Sequence, residues 1–134
     1  MPQDNSLCLS AHDELYFIDP NMVIYLQADD HYTEVFYTTG AHFMVPFGLV
    51  KIEQVIANLP EVRTHLVRMG RKYIVNTRRI FRINTITELL YLTDDDGNNV
   101  SLHISKPVLR NYIDSLNKPN CENSRKELTI SRND

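Results

Sequence analysis

Short segments of apolar and alternating residues recur along most of the chain, and polar or turn-forming residues separate them. Alternation between apolar and polar positions, with many β-branched and aromatic residues, is typical of strands that bury one face. The clearest hairpin has its turn at residues 94–99, a run of Asp, Gly and Asn. The pattern predicts short strands over residues 15–18, 23–28, 32–38, 42–45, 66–69, 73–75, 80–83, 87–93 and 100–104.

Two segments have helical spacing instead. In the first, Leu49, Ile52 and Ile56 recur on one face, and Pro60 ends the pattern. The second follows Ser105, which is expected to cap it, and has a proline in its first turn. The apolar stripe of the second helix consists of Val108, Leu109, Tyr112, Ile113 and Leu116. The expected fold class is therefore all-β, with two short helices.

The predicted elements fall within one domain. Residues 1–12 have no periodicity and are predicted to form a flexible N-terminal lead. Residues 13–117 hold the strands and both helices, of which the first is predicted over residues 47–59. Residues 118–134 are polar and of mixed charge, which predicts a disordered tail. A chain of 134 residues is long enough to bury a core without disulfides or metal.

Cysteine usage and hydropathy favour a cytoplasmic protein. Cys8 and Cys121 lie near opposite ends of the chain and do not make a disulfide framework. No apolar run approaches the roughly 20 residues that span a bilayer. The start of the chain lacks the basic and apolar parts of a signal peptide. We therefore expect no membrane partner.

The charges are distributed unevenly. The net charge of −3 argues mildly against a nucleic-acid partner. However, residues 63–82 contain seven of the 14 Lys and Arg residues and no Asp or Glu. Acidic residues cluster elsewhere, at positions 29–30 and 94–96. This basic block indicates either a binding surface for an anionic partner or a solvated edge with scattered ion pairs.

The sequence lacks the motifs that catalysis would need. Its four glycines are isolated, and no serine lies in a nucleophile-elbow pattern. Its five histidines do not pair with one another or with cysteine at zinc-ligand spacing. Residues 94–99 lack the ligand alternation and flanking helices of a calcium loop. We expect no enzymatic activity, no metal, no cofactor and no small-molecule substrate.

Three motifs place long hydrogen-bond donors or an imidazole at the ends of strands, where side chains project. They are residues 24–35 (IYLQADDHYTEV), 68–76 (RMGRKYIVN) and 100–106 (VSLHISK). With these motifs in order and at suitable spacing, the sequence resembles the LytTR family of output domains of transcription regulators. The resemblance covers nearly all of residues 13–116.

The resemblance implies stacked small antiparallel sheets and sequence-specific binding of double-stranded DNA through loops that enter the major groove. By the same resemblance, His31, Arg71 and Lys106 contact bases. Arg and Lys suit the acceptors of guanine, and His31 donates or accepts according to its tautomer. Contacts to the phosphate backbone are expected nearby, from Arg68, Lys72, Arg78 and Arg79.

The resemblance also implies the biological setting. The domain is expected to act in a bacterial response regulator of a two-component system. Its DNA would be a promoter with paired repeats, which two copies of the chain occupy as a homodimer on DNA. The chain is too short to include a receiver domain as well, so we expect either a stand-alone regulator or a fragment.

The sequence departs from the usual family pattern at three positions. Gly70 stands where His is usual, Lys72 replaces a small hydroxyl residue, and Leu66 stands near a usual Phe. The first departure removes a polar group beside Arg71 and is expected to change base preference. The second adds a cation, which is expected to raise non-specific affinity.

Other interpretations fit part of the sequence. A single-stranded nucleic-acid binder would also use Tyr and basic residues on short strands. A protein-interaction module would use the basic block for an acidic partner, and a small-molecule sensor would use an internal pocket. The three residues assigned to bases also have alternative roles without DNA. His31 would only brace its loop, Arg71 would pair with Asp29 or Asp30, and Lys106 would be a solvated residue of the first helical turn. Asn76 is expected to brace a turn, and Tyr25, Tyr32 and Phe36 are expected in the core.

Overall fold

The computed structural model of the protein describes residues 6–59 and 64–116. The strands are β1 (Leu7–Ala11), β2 (Glu14–Ile18), β3 (Val23–Asp29), β4 (Tyr32–Tyr37), β5 (His42–Val45), β6 (Leu66–Met69), β7 (Tyr73–Asn76), β8 (Ile80–Asn84), β9 (Leu89–Thr93) and β10 (Asn99–His103). The helices are α1 (Leu49–Ala57), α2 (Lys106–Ser115) and a short 3-10 helix, Thr77–Arg79. The strands form small antiparallel sheets, which confirms the predicted fold class.

A five-stranded sheet in the order β5-β4-β3-β7-β6 forms the middle of the domain. Its strand β3 is apolar without alternation, and Val23, Ile24, Tyr25 and Leu26 are all buried. Val23 and Leu26 belong to one core, whereas Ile24 and Tyr25 belong to another. A strand that is covered on both faces needs apolar residues at consecutive positions, which explains the continuous run.

The two faces of this sheet are covered by different elements. The β1–β2 hairpin and α1 form the first core, in which Leu7 and Ile52 are fully buried. The three-stranded sheet β10-β9-β8 and helix α2 form the second core, in which Leu90 and Leu109 are fully buried. Each such side chain contributes about 1.5–3 kcal/mol of hydrophobic stabilisation.

Two buried polar side chains connect loops to the middle sheet. The Thr33 hydroxyl donates to the carbonyl of Phe47 at 2.7 Å, just before α1. Asn76 Nδ2 donates to the carbonyl of Val23 at 2.8 Å, and its Oδ1 accepts from the Arg78 amide at 3.0 Å. The predicted role of Asn76 as a brace is therefore confirmed.

The N-terminal segment differs from its prediction. Part of the predicted flexible lead forms strand β1, in which Leu7 and Leu9 are 0% and 1% exposed. These two side chains fill the first core, so the ordered fold begins before residue 13. Residues 1–5 and the predicted tail, 118–134, lie outside the described residues.

Candidate nucleic-acid interface

The β6–β7 turn carries two exposed cations, Arg71 and Lys72. Gly70 precedes them with φ of +76°, a left-handed conformation that favours glycine. Arg68 holds the turn, because its Nε donates to the Gly70 carbonyl at 2.8 Å. Its Nη1 also pairs with Glu53 Oε1 of α1 at 2.9 Å. The Arg68 guanidinium is therefore occupied by protein partners.

The β3–β4 turn presents His31 to solvent. Asp30 adopts a left-handed φ of 58° in this turn. The His31 side chain is 90% exposed, and its Nε2 lies 3.8 Å from Asp30 Oδ1, which is too far for a hydrogen bond. In the described residues, the His31 side chain therefore has no hydrogen-bond partner within its loop. The Ala28 amide donates to the Lys72 carbonyl at 2.8 Å, so this turn and the β6–β7 turn leave the sheet at the same end.

Helix α2 begins at this end as well. A β-carbon on Gly70 would lie 3.8 Å from Val108 Cγ2, which puts the first turn of the helix against the β6–β7 turn. Lys106 is the first helical residue and is exposed. Ser105 occupies the N-cap, but its side chain makes no capping hydrogen bond. The prediction that Ser105 caps the helix is therefore wrong. Instead, Glu88 Oε2 accepts from the Lys106 amide at 2.8 Å.

We call this end of the domain the three-turn surface. It is formed by the β3–β4 turn, the β6–β7 turn and the first turn of α2. Its exposed donors are His31, Arg71, Lys72 and Lys106. Within the described part of the chain, its three cations form no ion pair, and neither Asp29 nor Asp30 pairs with Arg71. Cations without protein partners are available to phosphates and base edges.

Arg78 and Arg79 lie at the other end of β7. They belong to the 3-10 helix after this strand, whereas Lys72 precedes it, and the four residues of the strand span about 13 Å. Arg79 Nη2 pairs with Asp95 Oδ1 at 2.9 Å, and Asp95 Oδ2 accepts from the Thr38 hydroxyl at 2.9 Å. The structure therefore does not bring these two arginines together with Arg71, and their contact to phosphates stays a prediction.

The three aromatic residues that were expected in the core differ from one another. Tyr25 is buried and stacks on Phe36, with ring centroids 4.4 Å apart. Burial raises the pKa of Tyr25 above its ordinary value. Tyr32 is 50% exposed and follows His31, so its assignment to the core is wrong.

Residues 94–98 form the turn between β9 and β10, and the Asp94 side chain organises this turn. Asp94 Oδ1 accepts from the amides of Asp96 and Asn98, at 2.9 and 2.8 Å. Desolvation of the Asp94 carboxyl favours its neutral form, but hydrogen bonds from Asn98, Asp96 and Gly97 outweigh it and lower the pKa. Across residues 6–59 and 64–116, no group of three or more His, Cys, Asp or Glu is arranged to hold a metal ion.

The sequence analysis did not identify three carboxylates that hold basic residues or helix ends in place. Glu53 holds Arg68, Glu88 holds the start of α2, and Asp95 holds Arg79. Each carboxylate lies on a different element from its partner, so no local sequence spacing indicates the contact.

The described helices include none that is long and apolar enough to cross a membrane.

Comparison with known proteins agrees with this architecture. Residues 13–118 match the family model described as LytTr DNA-binding domain. The fold is similar to a solved LytTr DNA-binding domain of a methyl-accepting/DNA response regulator from Bacillus cereus, with a TM-score of 0.58 and 24% identity. That similarity covers 84% of this chain and 97% of the other. Comparison with curated protein sequences finds no significant match.

The fold and the family match together define a class of protein. It is a class of DNA-binding domains, which is not an enzyme family. Because the family model matches most of its length, the chain belongs to the LytTR family.

Proposed function

We propose that this domain binds double-stranded DNA sequence-specifically by inserting the three-turn surface into the major groove. The observation that carries the proposal is the position of His31, Arg71 and Lys106 at one end of the domain. They come from three separate elements, and the two cations among them have no ion-pair partner in the described residues. A surface that only stabilised the fold would have little need of unpaired cations in neighbouring turns.

The three side chains suit base edges in different ways. Arg71 has a planar fork of donors that fits the two acceptors of guanine in the major groove. Lys106 reaches the same acceptors as a single charge. His31 hydrogen-bonds through whichever ring nitrogen its tautomer offers. The β6–β7 turn is held by Arg68 and the α2 start by Glu88, so two of the three donors project from fixed backbone.

Contacts to phosphates would set affinity and register around these base contacts. Lys72 is suited to this role because it is exposed beside Arg71. Arg78 would reach the backbone further along the duplex. Arg68 and Arg79 already bind carboxylates, so each would contribute to DNA binding only by sharing its guanidinium with a phosphate.

The wider setting rests on family membership. We propose a cytoplasmic regulator of a bacterial two-component system, whose output is transcription from promoters with paired repeats. One copy of the domain would occupy each repeat, which makes a homodimer on DNA. Repeats that face the same side of the duplex are separated by about one helical turn, or 10–10.5 bp, or by multiples of it.

The proposal is tested by selection from a random duplex library at near-physiological salt. We expect enrichment of a short motif in two copies, with an affinity about 10³-fold or more above that for random duplex. The enriched duplex is then measured against each of its own single strands. Equal or tighter binding of a single strand would replace the proposal with a single-stranded nucleic-acid binder. Weak, salt-sensitive binding without enrichment would favour a protein-interaction module.

A further inference from the structure

Glu88 has a backbone conformation that its side chain does not favour. It ends the β8–β9 turn with φ of 59°, in the left-handed region. In the described chain, the other residues besides glycine with positive φ are His12 and Asp30. Asp is a residue type that tolerates this region, whereas Glu has no such tendency. Strain at a residue with a defined contact suggests that the contact is useful.

The contact joins Glu88 to the start of α2 at two points. Its backbone carbonyl accepts from the Ile104 amide at 3.0 Å. Its carboxylate accepts from the Lys106 amide at 2.8 Å. Ser105, between them, makes no side-chain cap, and the next helical residue is Pro107, which has no amide proton to donate. Glu88 therefore replaces the usual local cap with one from another turn.

The second carboxylate oxygen is also held. Glu88 Oε1 lies 3.2 Å from Nε2 of His103, the last residue of β10. The two oxygens thus connect the end of β10 and the first residue of α2. Because an N-terminal helix end carries a partial positive charge, the ionised carboxylate is stabilised there.

We propose that Glu88 is a positioning residue that directs Lys106 toward DNA. The inference rests on the proposed function, since it assumes that Lys106 contacts DNA. Without the carboxylate, the Lys106 amide would lose its protein partner, and the first turn of α2 would fray. The Lys106 ammonium would then sample many positions, so more conformational entropy would be lost when it binds DNA.

The test uses Glu88→Gly, because glycine adopts the left-handed backbone freely, so the turn can keep its conformation when the carboxylate is removed. Relief of strain offsets loss of the cap, so the Tm is expected within about 4 °C of the wild type. Affinity for the selected duplex should fall about fivefold, the factor that corresponds to one capping hydrogen bond. Glu88→Gln keeps an oxygen acceptor and should recover most of the affinity. His12→Gly, at another left-handed position, is the matched control and should bind as the wild type does.

A double-mutant cycle with Lys106→Ala identifies the route of the effect. If Glu88 acts through Lys106, Glu88→Gly has no further effect in the Lys106→Ala background. A similar fivefold loss in both backgrounds would overturn the inference. The inference would also be overturned if Glu88→Gly binds DNA as the wild type does while Lys106→Ala binds more weakly. If Lys106→Ala itself leaves specific binding intact, the proposed base contact of Lys106 is wrong, and the inference about Glu88 is overturned with it. Amide exchange of Lys106, which should accelerate in Glu88→Gly, reports the capping without DNA.

Discussion

The three-turn surface and the region around Arg79 both take cations from the same basic block of the sequence, yet those cations differ in what they contact. Residues 63–82 supply seven of the 14 Lys and Arg residues of the chain. At one end of β7, Arg71 and Lys72 are exposed, with no ion pair in the described residues. At the other end, Arg79 pairs with Asp95. A cluster of charge in sequence therefore does not by itself define a binding surface.

The difference comes from acidic residues on other elements. Asp95 reaches Arg79 from the β9–β10 turn, and Glu53 reaches Arg68 from α1. No carboxylate in the described chain pairs with Arg71, although two lie in the adjacent β3–β4 turn. We infer that substitutions at the three-turn surface change DNA recognition, and that loss of the Arg79–Asp95 pair changes stability.

The largest effect is expected from Arg71→Ala. Loss of a bidentate base contact should cost about 1–3 kcal/mol on the selected duplex and much less on random duplex. Lys106→Ala should behave alike. Titration of both duplexes at one salt concentration measures the difference. Arg78→Ala is the matched control, since Arg78 is also exposed and unpaired within the described residues but lies at the other end of β7.

If Arg71→Ala and Arg78→Ala weaken the two duplexes equally, the division between the two regions is wrong. In that case Arg71 contacts phosphate and base reading lies elsewhere. A loss of thermal stability in Arg71→Ala would also contradict the division, because its exposed side chain forms no ion pair in the described residues.

The second effect concerns stability. Asp95→Ala removes the partner of Arg79 and the acceptor of the Thr38 hydroxyl, which is almost completely buried. An unsatisfied buried hydroxyl costs about 1–3 kcal/mol, so a loss of about 1–2 kcal/mol in the free energy of unfolding is expected. Urea denaturation measures it. At temperatures where Asp95→Ala is folded, it should bind the selected duplex as tightly as the wild type does. Weakened specific binding would show that this region participates in recognition.

The fold was largely predictable because most strands bury enough apolar residues to stand out. The exceptions have physical causes. Strand β1 has just two fully buried apolar positions, Leu7 and Leu9, which is too short an alternation to identify without its partner. Helix α1 is shorter than the predicted 47–59. The prediction included Phe47, which instead lies in the core before the helix, where its carbonyl accepts from Thr33.

The candidate site was predictable in its members but not in its arrangement. His31, Arg71 and Lys106 follow from the family resemblance. Their position at one end depends on the antiparallel pairing of β3 with β7 and on the packing of Val108 against Gly70, which are long-range contacts. Patterns over a few residues carry no information about such contacts. For the same reason, Arg78 and Arg79 were expected near Arg71, although they lie at the other end of β7.

A smaller effect is expected from Arg78→Ala. If Arg78 contacts a phosphate, the variant should weaken selected and random duplexes alike, and the slope of log K against log salt should flatten by about one. Affinity measured at several salt concentrations gives this slope. Thermal unfolding should barely change, since only the Arg78 backbone amide has a partner in the described residues. An unchanged slope would mean that Arg78 does not contact phosphate, so that only the three-turn surface binds DNA.

The smallest effect is a pH dependence near Asp95. Desolvation raises the pKa of the neighbouring Asp94, but hydrogen bonds from Asn98 and Asp96 lower it below the ordinary 3.8. A carboxyl with a lowered pKa in the folded state stabilises the fold above its unfolded pKa. This stabilisation is lost as the pH falls through the folded value. Asp94→Asn keeps an oxygen acceptor but loses the charge. Its Tm should therefore lie below that of the wild type at about pH 6, and the difference should shrink below about pH 3.8. A difference that persists in acid would mean that hydrogen-bond geometry, rather than charge, holds the turn that supports Asp95.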